Sequence, residues 1–270
     1  MFWRATTILA AIAASTISLV NGQAPNSIQN WKNDFATVDF KTGSNGSFSA
    51  VWNNRFGGNF VVGRGYQPAR DMQVLVNYTG TFTTTGAAYL ALYGWTRNPL
   101  VEYYVIESMG NHNPSDNKSA TQYGCLQSDG GTYEIWQKER INAPSIEGDK
   151  TNFQQYWSVR TSRHVGGTIN TGNHFRAWQA AGLKLGTQLY MDIVIEGQAG
   201  AGSANITVGT PPKTSVPNSP TPTFRSEHAP GTCNFGTTST SRATTTTSLR
   251  TTTTQRTTTT PTTTTKRGSA

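Results

Sequence analysis

The stretch YLALYGWTRNPLVEYY, residues 89–104, reads as two strands folded around a turn at Trp95–Pro99. Successive side chains on a strand point to opposite faces. Tyr89, Ala91, Tyr93 and Trp95 therefore share one face, and Leu90 and Leu92 take the other. Beyond the turn, Glu102 and Tyr104 share a face opposite Val101, Tyr103 and Val105. A carboxylate among tyrosines and a tryptophan suits a wet, aromatic groove better than a core.

Far down the chain, QLYMDIVIE at 188–196 alternates just as cleanly. Leu189, Met191, Ile193 and Ile195 form an apolar face, and Gln188, Tyr190, Asp192, Val194 and Glu196 form the other. Half-buried strands carry this pattern. A lone strand glutamate is ordinarily just the solvated side of a sheet. Two glutamates, each with a tyrosine on its own face, point further. Glycosidic bond cleavage uses a pair of carboxylates, one to donate a proton and one to attack or to activate water.

The 270 residues are not read as one folded unit. Residues 1–22 read as a secretory signal, with Arg4 early, an apolar run from Ile8 to Val20 and small residues near Gly22. That run is too short and too N-terminal for a membrane span. From Pro211 the composition shifts to Pro, Ser and Thr, and Thr244–Thr265 is almost all threonine. Such a segment cannot bury enough apolar surface to offset its ordering entropy, so 211–270 is expected to be a disordered tail. Its last residues offer no hydrophobic stretch for a lipid anchor.

The formal charge of +8 belongs mostly to that tail. Residues 213–270 carry a net +6 and residues 23–212 a net +1. A nearly neutral domain argues against nucleic acid as a partner. The four histidines lack the spacing of zinc or facial-triad sites, so no metal or cofactor is expected. Phosphate-cradling loops and nucleophile elbows are likewise not found. Cys125 and Cys233 are the only cysteines, and their pairing stays open. Glycan acceptors start at Asn45, Asn77, Asn117 and Asn205, so a glycoprotein is expected.

Between residues 27 and 208 short alternating segments recur, separated by Gly, Asn, Pro and Asp, which predicts an antiparallel all-β sandwich or barrel. One segment, 173–182, instead sets Phe175, Trp178 and Ala181 at helical spacing and ends at Gly182. This predicts a single helix packed on the back of a sheet. His174 within it is read as structural.

The segments NFVVGRG (59–65), 89–104, RINAPSI (140–146), QYWSVR (155–160), NHFRAW (173–178) and IEG (195–197) together carry a resemblance. In order and spacing they resemble glycoside hydrolase family 11, small secreted endo-β-1,4-xylanases. The resemblance implies an all-β jelly-roll sandwich of two strongly twisted antiparallel sheets, one α-helix on the back and a cleft on the concave face. The catalytic domain would span 27–210. It implies Glu102 as nucleophile and Glu196 as general acid/base of a retaining mechanism, on xylan, in an extracellular monomer without membrane contact. It implies that Tyr93 and Gln155 support the nucleophile or the substrate, that Trp31, Tyr104, Arg140 and Tyr190 line the cleft, and that Pro144 stands near the tip of a thumb hairpin. Asn59 falls where the family sets a residue touching the acid/base, and asparagine there implies a mildly acidic to neutral optimum. The sequence departs from the family pattern at Gln198, where an aromatic residue is usual. Two alternatives stand beside the enzyme: a catalytically weak xylan-binding relative and a jelly-roll endoglucanase.

Overall fold

A computed structural model describes residues 18–19, 24–67, 74–116, 118–209, 223–226 and 233. The chain divides into two units, Met1–Phe235 and Gly236–Ala270. The second lies wholly outside the described residues, as do most of the segment read as a signal and most of the Thr-rich tail.

The described residues form fifteen strands and one helix: β1 (Ser18–Leu19), β2 (Ser27–Lys32), β3 (Val38–Thr42), β4 (Ser47–Asn54), β5 (Phe60–Tyr66), β6 (Val74–Thr84), β7 (Ala88–Arg97), β8 (Val101–Met109), β9 (Thr121–Ser128), β10 (Gly131–Ser145), β11 (Gly148–Arg160), β12 (Gly167–Asn170), α1 (Thr171–Ala180), β13 (Thr187–Gly197), β14 (Gly200–Val208) and β15 (Thr223–Arg225). One sheet runs β1-β6-β14-β4-β3, with β12 also on β6. The other has nine strands in the order β15-β9-β10-β11-β8-β7-β13-β5-β2. Pairing is antiparallel except for β1–β6 and β8–β11. The expected sandwich of two antiparallel sheets holds, with parallel pairing confined to these two ladders. The chain leaves β8, makes the β9–β10 hairpin and returns as β11 running the same way as β8.

Alternation sorts the nine-stranded sheet into two environments. Leu90, Leu92, Val101, Tyr103, Val105, Met191, Ile193 and Ile195 pack into one cluster with Phe48, Ala50, Trp52 and Ile206 of the other sheet. Tyr89, Ala91, Tyr93, Trp95, Tyr104 and Ile106 form a second cluster on the opposite face with Val61, Trp136, Phe153 and Trp157. The parity read from residues 89–104 holds throughout. It fails at the start of β13, where a bulge falls between Gln188 and Tyr190. Gln188 there accepts a hydrogen bond from Tyr103 Oη at 2.6 Å, on the core side. Leu189 packs against the other cluster instead. A bulge inserts one residue and inverts the parity of what precedes it, so the predicted faces of this pair are exchanged.

The helix begins two residues before its predicted start, at Thr171. Its end is a Schellman motif: Leu183 N–H donates to the Trp178 carbonyl at 2.8 Å and Gly182 N–H to that of Gln179 at 3.0 Å. Gly182 takes a φ of +82°, a conformation cheap only for glycine. Phe175 and Trp178 pack on Tyr103 and Tyr156, behind the strand that carries Glu102. His174 is buried, 3.0 Å from Asp129 and edge-on to Tyr133.

Candidate active site

The aromatic face of the nine-stranded sheet floors a cleft of about 760 Å³. Every residue that the sequence singled out lines it: Trp31, Asn59, Tyr93, Glu102, Tyr104, Arg140, Pro144, Gln155, Tyr190 and Glu196. The register explains why they meet. Trp31, Val61, Glu196 and Tyr89 form one cross-strand row over β2, β5, β13 and β7. Tyr190, Trp95, Glu102 and Gln155 form another over β13, β7, β8 and β11.

Between those rows stands Tyr104. Its Oη lies 3.0 Å from Glu102 Oε1 and 3.1 Å from Glu196 Oε2. One hydroxyl thus bridges the two carboxyl groups. A hydroxyl has one proton, so Tyr104 can donate to one carboxylate while accepting from the other if that one is protonated.

Glu102 is buried beneath three donors. Tyr93 Oη donates to Oε1 at 3.0 Å, Tyr104 Oη reaches the same oxygen, and Gln155 Nε2 donates to Oε2 at 2.5 Å. Each donor is itself held. Trp95 Nε1 donates to Tyr93 Oη at 2.6 Å, and Arg140 donates to Gln155 Oε1 at 3.1 Å. Burial raises the Glu102 carboxyl above its usual range, opposed by the hydrogen bonds of Gln155, Tyr93 and Tyr104 and by the charge of Arg140. Glu196 moves further, to about 7. Burial is the largest cause and the negative charge of Glu102 the next, with hydrogen bonds from Tyr89, Tyr104 and Gln198 opposing them. Two identical groups are thus driven apart by different surroundings. The arrangement can keep Glu102 ionised and Glu196 protonated in the same pH interval.

The β10–β11 hairpin reaches over this floor. Pro144, Ser145 and Ile146 line the cleft with the sheet residues. Register shifts between Arg140 and Ser145, with Asn142 at a φ of +50°, allow that hairpin to bend. Glu147 at its tip accepts from Arg97 Nε at 2.9 Å.

Three residues that sequence reasoning left out belong to the site. Tyr89 hydrogen-bonds Glu196, Trp95 orients Tyr93, and Gln198 bonds Glu196 from the cleft rim. Tyr89 and Trp95 share the strand face of Tyr93, and that parity was the signal that could have found them. Gln198 gave only its departure from the aromatic pattern. Asn59 lines the cleft with its Oδ1 buried and unpartnered. Among the described residues no group of three metal-ligating side chains occurs, and no helix is long and apolar enough to cross a membrane.

Comparison with known proteins agrees with this geometry. The profile of Glycosyl hydrolases family 11 matches residues 23–207. Over 178 residues the chain is 48% identical to a probable endo-1,4-beta-xylanase B of Aspergillus clavatus, covering 66% of this chain and 77% of that protein. It is 45% identical over 183 residues to endo-1,4-beta-xylanase 1 of Pyricularia grisea, covering 67% and 76%. A solved chain from T. reesei, described in a comparison of two major endo-1,4-beta-xylanases, superposes with a TM-score of 0.63. It is 39% identical and covers 70% of this chain and all of that one.

Proposed function

The chain belongs to glycosyl hydrolase family 11 and is an endo-1,4-β-xylanase; from that premise we propose that it cleaves internal bonds of xylan by a retaining double displacement between Glu102 and Glu196. The observation that carries this reading is the single hydroxyl, Tyr104 Oη, within hydrogen-bond distance of both carboxylates.

In the first step an ionised Glu102 oxygen attacks the anomeric carbon as protonated Glu196 gives its proton to the leaving oxygen. This forms a glycosyl ester on Glu102. In the second, Glu196, now a carboxylate, removes a proton from water as that water displaces Glu102. The donors on Glu102 hold it oriented and charged for attack. Its negative charge beside Glu196 keeps the proton there until the leaving group takes it. As the ester forms, that charge disappears, and the carboxyl of Glu196 becomes a stronger acid at the moment it must give up its proton.

Trp31 and Tyr190 offer flat faces to pyranose rings. Arg140 holds Gln155, and Pro144 closes the thumb over the chain. The catalytic domain is taken as 27–210, a span supported by β2 through β14. Secretion after removal of 1–22 is supported by a disulfide between Cys125 and Cys233, a bond that persists in oxidising compartments. Reducing-sugar release from xylan and from carboxymethyl cellulose, by the native chain and by Glu102→Gln, tests the reading. Release from xylan that Glu102→Gln abolishes is expected. Preferential release from cellulose overturns it.

A further inference from the structure

Two β-turns beside the cleft carry aromatic rings that no core contact explains. In the first, Ala36 N–H donates to the Asn33 carbonyl at 3.1 Å and Phe35 N–H to Asn33 Oδ1 at 3.2 Å. In the second, Gly57 N–H donates to the Asn54 carbonyl at 3.2 Å, and Phe56 stands at the same third position.

The turns are bolted to each other. Asn33 N–H donates to the Asn59 carbonyl at 2.9 Å, and Asn59 N–H donates back to Asn33 Oδ1 at 3.1 Å. The buried Asn54 amide accepts from Thr37 N–H at 2.7 Å and donates to the Gly58 carbonyl at 3.2 Å. Gly58 has a φ of +122°, and a Cβ there would come within 2.6 Å of the Phe35 backbone. Only glycine lets the loops approach this closely. Rigid backbone under bare rings follows: Phe35 is 79% exposed and Phe56 fully exposed.

Large apolar rings left bare on a braced backbone mark an interaction site. The turns adjoin the cleft: Asn33 of the first and Gly58 just after the second line it with Asn59 and with Trp31, itself half exposed. The ring neighbours, Asp34 and Arg55, are exposed with opposite charges, which suits a neutral ligand. Resting on the xylanase reading, we propose that Phe35 and Phe56 form an aromatic platform. It holds the stretch of xylan chain that runs out of the cleft past Trp31, stacking pyranose C–H faces on the rings. The platform adds substrate contacts beyond Trp31 and leaves the chemistry untouched.

The test compares the native chain with Phe35→Ala/Phe56→Ala on insoluble xylan and on xylotetraose. Both side chains point into solvent, so equal thermal midpoints are expected. Binding to insoluble xylan should fall about tenfold, a factor that two ordinary aromatic contacts supply. Turnover of xylotetraose, seated in the cleft, should be unchanged. Unchanged binding to xylan overturns the platform while leaving the xylanase reading intact. Loss of self-association on sedimentation, with xylan binding intact, overturns it in favour of a second copy. No turnover of xylotetraose by the native chain overturns the parent reading and the platform with it.

Discussion

Strand β8 carries two buried carboxylates five residues apart on opposite faces, Glu102 in the cleft and Glu107 between the sheets. Both are surrounded by tyrosines. Glu107 takes Tyr133 Oη at 2.6 Å, Tyr78 Oη at 3.4 Å and Arg160 at 3.4 Å. Burial pushes Glu107 to about 7 against the pull of Arg160, the same value reached by Glu196. A displaced pKa therefore does not single out the site. What separates the two regions is what lies over the carboxylate. Glu107 faces packed side chains and a guanidinium, whereas Glu102 and Glu196 face an open cleft and each other. Charge conflict left unneutralised beside a substrate channel is usable for catalysis. The same conflict closed by an arginine is structure.

The widest separation is expected from Glu196→Gln. Removing the proton donor should lower kcat/KM on xylan about 10²–10⁴-fold and abolish the alkaline limb of its pH profile, with little change in thermal midpoint. In the native chain that limb should fall as pH rises through about 7, where Glu196 loses its proton. Glu107→Gln should do the reverse. It weakens the acceptor shared by Tyr133, Tyr78 and Arg160, at a cost of roughly 1–3 kcal/mol, and leaves the pH profile of the folded fraction unmoved. A shift in that profile would erase the distinction between the two carboxylates. Chemical denaturation of the variant measures the stability side.

Much of this contrast was legible in the chain. Alternation over 89–104 put Glu102 with Tyr104 and away from Tyr103, and every one of those faces holds. The pairing of Glu102 with Glu196 required the resemblance, because strand order between β8 and β13 has no local signature. The exchange of Gln188 and Leu189 was hidden because a bulge leaves no mark in hydrophobic alternation. The tail shows the limit of composition. Within the stretch expected to be disordered, β15 pairs with β9, and Cys233 is bonded to Cys125 on that same strand. Three paired residues and one disulfide are too small a signal to show against so many threonines.

The disulfide closes a loop across 108 residues and joins Cys233, beyond β15, to β9, which β10 and β11 separate from the strand of Glu102. Cys125→Ala/Cys233→Ala should cost about 2–4 kcal/mol in denaturant while sparing kcat. Asp192 is another buried carboxyl, two residues from Tyr190 on β13. Buried and hydrogen-bonded by Ser27 Oγ at 3.0 Å, it is pushed to about 7, chiefly by burial. A carboxyl raised in the folded state contributes stability that is full below its unfolded value near 4 and lost as pH rises through about 7. Asp192→Asn should therefore flatten the decline of thermal midpoint between pH 4 and 8, with activity retained. The smallest effect is expected at Arg97→Gln, whose partner Glu147 is half exposed. Such pairs contribute about 0–1 kcal/mol, and the change should be lost at high salt.

The displacement at the anomeric carbon is tested most directly by proton NMR of xylo-oligosaccharide hydrolysis, read in the first minutes before mutarotation. The shared hydroxyl and close carboxylates predict that the newly formed reducing end appears first as the β-anomer, as in the bond cleaved. Initial appearance of the α-anomer would mean that water, not Glu102, attacks first, and would contradict the account.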